Sequence, residues 1–368
     1  MLRKNVILVC SILSAISFNA NSASFIVNDR TTFTFGGDAE MDINYKDYDH
    51  IYNNRSENYN QSGRVLASLM GEQVNSNFNV SFKIDGLFDT SGNLFIDDSW
   101  VQIGQNDGWH IRVGRLEATD VYLMGQDTFV EHTGNTSDDS YNDNGAYFYK
   151  MNEAQGRASD SGQFMIFNQF DNNVYFELAA MLGDRINLFT EGTYHGKELV
   201  SEKDAFFIRP LIKYENESFT ATLAMEKNLV SDAILTSDGD VLDRTGFGGH
   251  IVYRFNDDFQ LQGNIAYLDA LNEKDLTTGI NAIYKNFGLS YARAINDFDA
   301  SSNFYDGKIK IDTVYSSYEF KEAFDLEGLK IAVGAYYSNL TDSGTNLSAN
   351  FSDMSEAGGR IRIYYSFW

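Results

Sequence analysis

Alternation with a period of two runs through almost the whole chain and constrains its fold more than any motif. In FTFGGDAEMDINY, Phe33, Phe35, Ala39, Met41, Ile43 and Tyr45 fall on one face, and Thr34, Asp38, Glu40, Asp42 and Asn44 on the other. In FQLQGNIAYL, Phe259, Leu261, Ile265 and Tyr267 oppose Gln260, Gln262 and Asn264. FTATLAME sets Phe219, Ala221, Leu223 and Met225 against Thr220, Thr222 and Glu226, and the same split recurs in FNVSFKIDG, VYFELAAML, GFGGHIVYRF and LKIAVGAYYS. Such segments are strands with one oily and one wet side. The last eight residues, IRIYYSFW, follow suit: Ile361, Ile363, Tyr365 and Phe367 share a face, while Arg360, Arg362, Tyr364 and Ser366 share the other. Composition agrees, because 22 Tyr, 28 Phe and 30 Gly accompany a single proline, Pro210, and these are residues of strands, girdles and turns.

Two kinds of connection join the strands. YENESF, FNDDF and YKNF are tight and aromatic-flanked, whereas DYDHIYNNRSENYNQS and NLTDSGTNLSANFSDM are long and polar. One end of the structure therefore has turns and the other has loops. Roughly sixteen strands of about ten residues fit this pattern, which is that of an all-β, transmembrane antiparallel barrel. A soluble β-sandwich or β-helix is the alternative, but it needs no rings gathered beside its tight turns. Here Tyr214 and Phe219, Phe255 and Phe259, and Tyr284 and Phe287 bracket successive turns, as a membrane-interface girdle would. Closure pairs Gly358–Phe367 with Thr32–Tyr45 and removes both sheet edges.

The start, MLRKNVILVCSILSAISFNANSA, places Arg3 and Lys4 before an apolar run from Val6 to Phe18 and small residues near Ala23. It reads as a secretory signal peptide over 1–23, leaving 24–368 as one barrel domain. The run is short of the ~20 residues of a spanning helix. The only cysteine, Cys10, leaves with it, so the mature chain has no disulfide. Losing Arg3 and Lys4 and no acid takes the formal charge from -24 to -26, which excludes nucleic acid as a partner.

In lipid the apolar face points outward and the polar face inward, so sixteen strands enclose a water-filled channel. Function then lies in what narrows it. After the strand WHIRVGR, alternation stops over Ala118–Ala154 and resumes in GQFMIFN. A connection that long is usually functional, and it is expected to fold back into the barrel. The run SWVQIGQNDGWHIRVGRLEATDVYLMGQDTFVEH resembles the fourth strand, turn, fifth strand and third loop of trimeric bacterial porins. GRLEATDVYLMGQDTFVEHTG and GRASDSGQFMIF resemble, more narrowly, the raffinose-type glycoporins. The PEFGG-like turn of general porins is absent from the loop.

The resemblance implies a homotrimer in the outer membrane of a Gram-negative bacterium, in contact with lipid and lipopolysaccharide, with both termini periplasmic. It also implies channels constricted by the third loop against a basic wall, and an oligosaccharide or other small hydrophilic solute as cargo. Arg115 and Arg157 match porin wall arginines, and parity adds Arg64, Lys83, Arg112, Arg360 and Arg362. The loop would offer Asp120, Asp127 and Glu131, setting a transverse field across the eyelet. Arg360 and Arg362 could equally neutralise Asp38 and Glu40 on the neighbouring strand. Of the loop rings Tyr122, Phe129, Tyr141, Tyr147 and Tyr149, Tyr122 and Phe129 are the candidates to stack on a sugar, and the others to anchor the loop. None of the five histidines has a hydrolase-like arrangement around it, and the acidic segments near Asp238 and Asp306 lack EF-hand spacing. No enzyme activity, cofactor or metal is expected. A general porin for ions and small solutes, or a plugged structural or adhesin barrel, remains the alternative.

Overall fold

A computed structural model describes residues 23–48, 57–126, 147–158, 161–189, 192–299, 305–342, 345–346 and 354–367. Sixteen strands form the wall: β1 (Thr31–Tyr48), β2 (Glu57–Val74), β3 (Phe78–Asp89), β4 (Leu94–Gln105), β5 (His110–Arg115), β6 (Ser161–Gln169), β7 (Val174–Gly183) and β8 (Ala205–Glu215), then β9 (Phe219–Asn228), β10 (Thr245–Asn256), β11 (Phe259–Ala270), β12 (Glu273–Tyr284), β13 (Phe287–Phe298), β14 (Tyr305–Lys321), β15 (Leu329–Asp342) and β16 (Met354–Ser366). Each is antiparallel to the next. The last pairs with the first from Ser366 opposite Asp38 to Glu356 opposite Tyr48, so the sheet is closed and no backbone edge is left for lipid to meet. No helix among the described residues is long and apolar enough to cross a membrane.

The seam differs from expectation in one respect. The rungs of β1 from Thr31 to Phe35 are taken not by β16 but by a short strand, Ala23–Asn28, which continues the line of β16. Phe367 donates its backbone N–H to the Gly37 carbonyl at 3.0 Å. A Cβ on Gly37 would lie 2.7 Å from the Phe367 ring, so the glycine makes room for that side chain.

Strand lengths also depart from the expected ten residues. β1 and β2 each run for 18 residues and absorb both flanks of the loop read from DYDHIYNNRSENYNQS. At the loop end, the connections Asp89–Leu94 and Ala270–Glu273 are as short as turns. The outer face is apolar around the middle, where Val101, Ile103, Ile111, Leu223, Ile251, Ile265 and Ile280 are exposed. At the turn end Phe255 stacks on Phe259, with ring centroids 5.0 Å apart, and Tyr284 pairs across from Phe287. Such rings belong at the membrane–water interface.

Towards the loop end of β13 and β14 the alternation persists but the two faces exchange character. Arg293 and Asp312 form an outward ion pair at 2.8 Å, and Lys308 pairs with Asp297 at 2.7 Å. The inward residues there, Ala292, Ala294, Ile309 and Ile311, are fully buried. Above the lipid band the outer face meets water, and the inner face packs on protein.

Candidate functional site

The interior is not the uniformly wet channel that parity alone implies. The connection between β5 and β6 is described at its two limbs, 116–126 and 147–158, and both are bonded to inward-facing side chains of β9–β13. Asn264 accepts from the Leu123 N–H at 2.8 Å and donates to the Leu123 carbonyl at 3.0 Å, which Asn281 also reaches at 2.8 Å. His250 Nδ1 donates to the Val121 carbonyl at 2.9 Å. Asn296 brackets the backbone of Tyr147, whose hydroxyl donates to Asp275 at 2.8 Å. Glu226 accepts from the Tyr149 hydroxyl at 2.6 Å and from the N–H groups of Glu153 and Ala154. An irregular segment away from water needs partners for its backbone, and here the strand side chains supply them.

Inward glycines make the docking surface. A Cβ at Gly246 would lie 1.9 Å from the Tyr149 hydroxyl, and one at Gly279 2.3 Å from the Tyr122 hydroxyl. Gly248 faces Val121 and Met151 in the same way, and Gly288 faces Gln126. Around the limbs, Val121, Met151, Leu188, Phe189, Ile234, Leu242, Ala266 and Leu268 form one buried apolar cluster. An ion pair is sealed beside it: Arg244 donates to Glu153 at 2.6 Å. Burial pushes the Glu153 carboxyl up even with that guanidinium beside it.

The opposite arc, β16 and β1–β4, carries charges instead. Arg362 bonds both oxygens of Asp42, at 2.7 and 2.8 Å, and Glu40 at 3.0 Å; Arg360 reaches Asp42 at 3.2 Å. Arg64 lies 3.7 Å from Asp38. Lys83 sits between Asp85 (2.6 Å) and Asp98 (3.2 Å). Arg157, on the returning limb, meets Asp98, Glu117 and Asp97 at 2.9, 3.0 and 3.3 Å. Burial alone would lower its pKa, but these three carboxylates hold it above the ordinary arginine value. These five cations are thus paired with acids of the wall and of the loop's own root rather than ranged as a basic row before an acidic loop, and for Arg362 and Glu40 this is the neighbouring-strand pairing expected as the alternative.

Arg112 and Arg115 differ. Among the described residues no carboxylate pairs with either: Arg112 donates to Gln102, and Arg115 donates to the backbone carbonyls of Asp97 and Ala158. Asp120 accepts from Gln155 at 2.6 Å. Tyr122 requires a correction. It is only 6% exposed, with its hydroxyl over Gly279, so it presents no ring face to a solute. Asp127, Phe129, Glu131 and Tyr141 lie outside the described residues.

Between the two arcs a space of about 450 Å³ stays open, lined by Met124, Gly125 and Gln126 of the limb and by Glu40, Glu319, Lys330, Arg362 and Tyr364 of the wall. A closed, membrane-spanning barrel of sixteen strands with an ion-lined lumen beside a docked limb is the architecture of a porin. The family model described as porin-like glycoporin RafY matches residues 23–367, and the chain belongs to that family. Solved structures agree on the fold. The outer membrane channel DcaP of Acinetobacter baumannii superposes with a TM-score of 0.60 at 13% identity, covering 94% of this chain and 99% of that one. OmpT of Vibrio cholerae gives 0.60 at 15% identity over 94% and 100%, and the anion-selective porin from Comamonas acidovorans gives 0.58 at 14% over 91% and 99%. No curated protein sequence matches the chain. It is a channel-forming outer-membrane protein and not an enzyme.

Sequence reasoning missed the anchors Asn264, Asn281, Asn296, Glu226 and Asp275. A signal for them was present. Gly246, Gly248 and Gly279 interrupt inward strand positions, where a glycine weakens a strand unless another backbone or side chain must come close.

Proposed function

We propose that the protein is a passive channel for small hydrophilic solutes, with neutral oligosaccharides as its preferred class. The observation that carries this is the space beside the docked limb, about 450 Å³ in volume and lined by paired charges. Paired charges present many fixed donors and acceptors without a large net field, which suits an uncharged polyhydroxy solute better than a bare ion. The family description, a glycoporin, supports the same class. The third loop completes the constriction, and Asp127, Phe129 and Glu131 belong to the segment that would do so. The leader over 1–23 is removed on export, and the turn end with both termini faces the periplasm. The chains assemble as homotrimers; an OmpT structure from Vibrio cholerae, TM-score 0.57 at 14% identity over 92% of this chain and 100% of that one, is of a trimer form.

Single-channel recording in planar bilayers with tri- and tetrasaccharides tests the reading. Open current interrupted with a saturable concentration dependence is expected. Ion current that no oligosaccharide interrupts would leave a general porin in its place. The buried apolar cluster favours one other reading, a plugged barrel, which a complete absence of conductance would establish. Orientation is checked by labelling a cysteine placed at Asn58 in intact cells, where reaction is expected without lysis.

A further inference from the structure

The inner wall of β4–β8, between the turn end and the root of the long connection, carries a group of rings and cations that includes the expected wall residue Arg112. The outward neighbours Val101, Ile103, Ile111 and Val113 are exposed on the apolar face. Trp100, His110, Arg112, Phe167, Tyr175 and Lys213 therefore turn inward. The Arg112 guanidinium lies 4.1 Å from the centre of the Trp100 ring and 5.3 Å from that of Phe167. His110 stacks flat on Phe167 at 5.1 Å with 13° between the planes, and Tyr175 follows at 6.2 Å from Phe167. Lys213 Nζ lies 5.4 Å from the centre of the Tyr175 ring and 3.0 Å from a Glu215 carboxylate oxygen, which takes one of its three donors. The register places Gly114 opposite Trp100, His110 opposite Phe167, and Tyr175 opposite both Gln169 and Lys213, so the group spans six rungs, roughly 20 Å at ~3.3 Å per residue.

Three features separate this group from ordinary packing. His110, Phe167 and Tyr175 are half-buried, whereas the inward rings Tyr147, Phe148, Tyr149 and Tyr315 on the covered side are at most 3% exposed. Arg112 is held by ring faces and by Gln102 rather than by a carboxylate, so its donors keep a fixed direction without being neutralised. The Tyr175 hydroxyl donates to Glu177 at 2.8 Å, and Glu177 also accepts from the Thr119 hydroxyl and N–H at 2.8 and 3.1 Å. The ring is thereby set relative to the root of the loop.

We propose that this wall is a binding subsite for neutral oligosaccharides, in which Phe167 and Tyr175 stack on sugar rings while Arg112 and Lys213 donate to hydroxyl groups. The proposal rests on the sugar-channel reading above and moves the stacking function from the loop to β6 and β7. A pyranose has a C–H face that water hydrates poorly and a rim of hydroxyls that must stay hydrogen-bonded. Rings interleaved with fixed donors meet both needs. An inorganic ion passing the same wall would gain from the cations alone.

The test uses the full mature protein reconstituted in bilayers, with raffinose and maltotetraose as probes and chloride conductance as the control. Phe167→Ala and Tyr175→Ala should each raise the half-blocking sugar concentration about fivefold, the loss of one ring contact. Phe167→Trp should restore block, and Tyr122→Phe should leave it unchanged. Phe167→Leu keeps apolar volume without a ring face and should behave like the alanine variant; this covers the case in which Phe167→Ala fails to yield the heat-modifiable folded form. If the wild type is blocked and Phe167→Leu and Tyr175→Ala stay within twofold of it, the subsite is overturned while the sugar-channel reading stands. If neither sugar blocks the wild type, both fall. Variants that change chloride conductance in proportion to sugar block would mark the group as an ion path and overturn the subsite.

Discussion

The two arcs of the barrel solve the same problem, a polar inner face, in opposite ways. On β9–β13 the inward Asn264, Asn281, Asn296 and Glu226 spend their hydrogen bonds on the backbone of the long connection. On β16 and β1–β4 the inward Asp42, Arg360, Arg362 and Asp85 spend theirs on one another and on Lys83. Both sets of acids are buried, Glu226 at 1% exposure and Asp42 and Asp85 at 4% and 1%, but the covered arc meets backbone of the connection whereas the open arc meets side-chain cations of the wall. A lost partner therefore frees the limb on the first and leaves a buried carboxylate short of a cation on the second.

The sharpest break comes from Glu226→Leu, which leaves the Tyr149 hydroxyl and two N–H groups without their acceptor. Undocking of the limb should follow at a cost of about 3 kcal/mol. It is read as raised single-channel conductance and as protease cleavage within 127–146. Gly246→Ala should act in the same direction at about 1–3 kcal/mol, because its methyl group would collide with Tyr149; Gly86→Ala on the open arc, where nothing lies nearer than 4.0 Å, should change neither readout. On the open arc Arg362→Ala should lower stability by about 2 kcal/mol, because buried Asp42 then keeps only Arg360. It should, however, shift the reversal potential in a potassium chloride gradient toward cations, since Asp42 and Glu40 lose their main partner. Smallest of all is Tyr122→Phe, whose hydroxyl has no hydrogen-bond partner among the described residues. It should be neutral or slightly stabilising in heat-modifiability assays, and a loss above about 1 kcal/mol would show an unseen partner for that group.

The contrast also explains how far the sequence could be read. Period-two alternation, the turn aromatics and the final strand were enough for a closed barrel with β16 against β1, because these are local patterns repeated many times. Face assignment was reliable only where lipid is the outer solvent. In KIKIDTVYSSY the alternation is as clear as anywhere, yet Ile309 and Ile311 point inward and Lys308 and Asp312 outward. A period of two says that two faces differ, not which of them meets the membrane. Parity supplied Arg64, Lys83, Arg112, Arg360 and Arg362 as expected wall residues, and the porin resemblance supplied Arg115 and Arg157. Their partners were legible only in part: Arg362 meets Glu40, as the neighbouring-strand reading expects, and Asp42 besides, while Arg157 turns back onto Asp97, Asp98 and Glu117. Pairing depends on strand register and loop path, which no local pattern encodes. Tyr122 was misjudged for a related reason, since a ring beside a motif looks available until the glycine that receives it is located across the barrel.

The exchange of faces on β13 and β14 bears on distance. β14 has 17 residues, roughly 55 Å of chain at ~3.3 Å per residue and about 40 Å of height once tilted. The apolar band of such barrels is only about 25 Å tall. The upper third of β14 therefore stands clear of the bilayer, as do the ends of β1 and β2 with their 18 residues each. A solute entering from the loop side meets these extensions before it reaches the plane of the lipid.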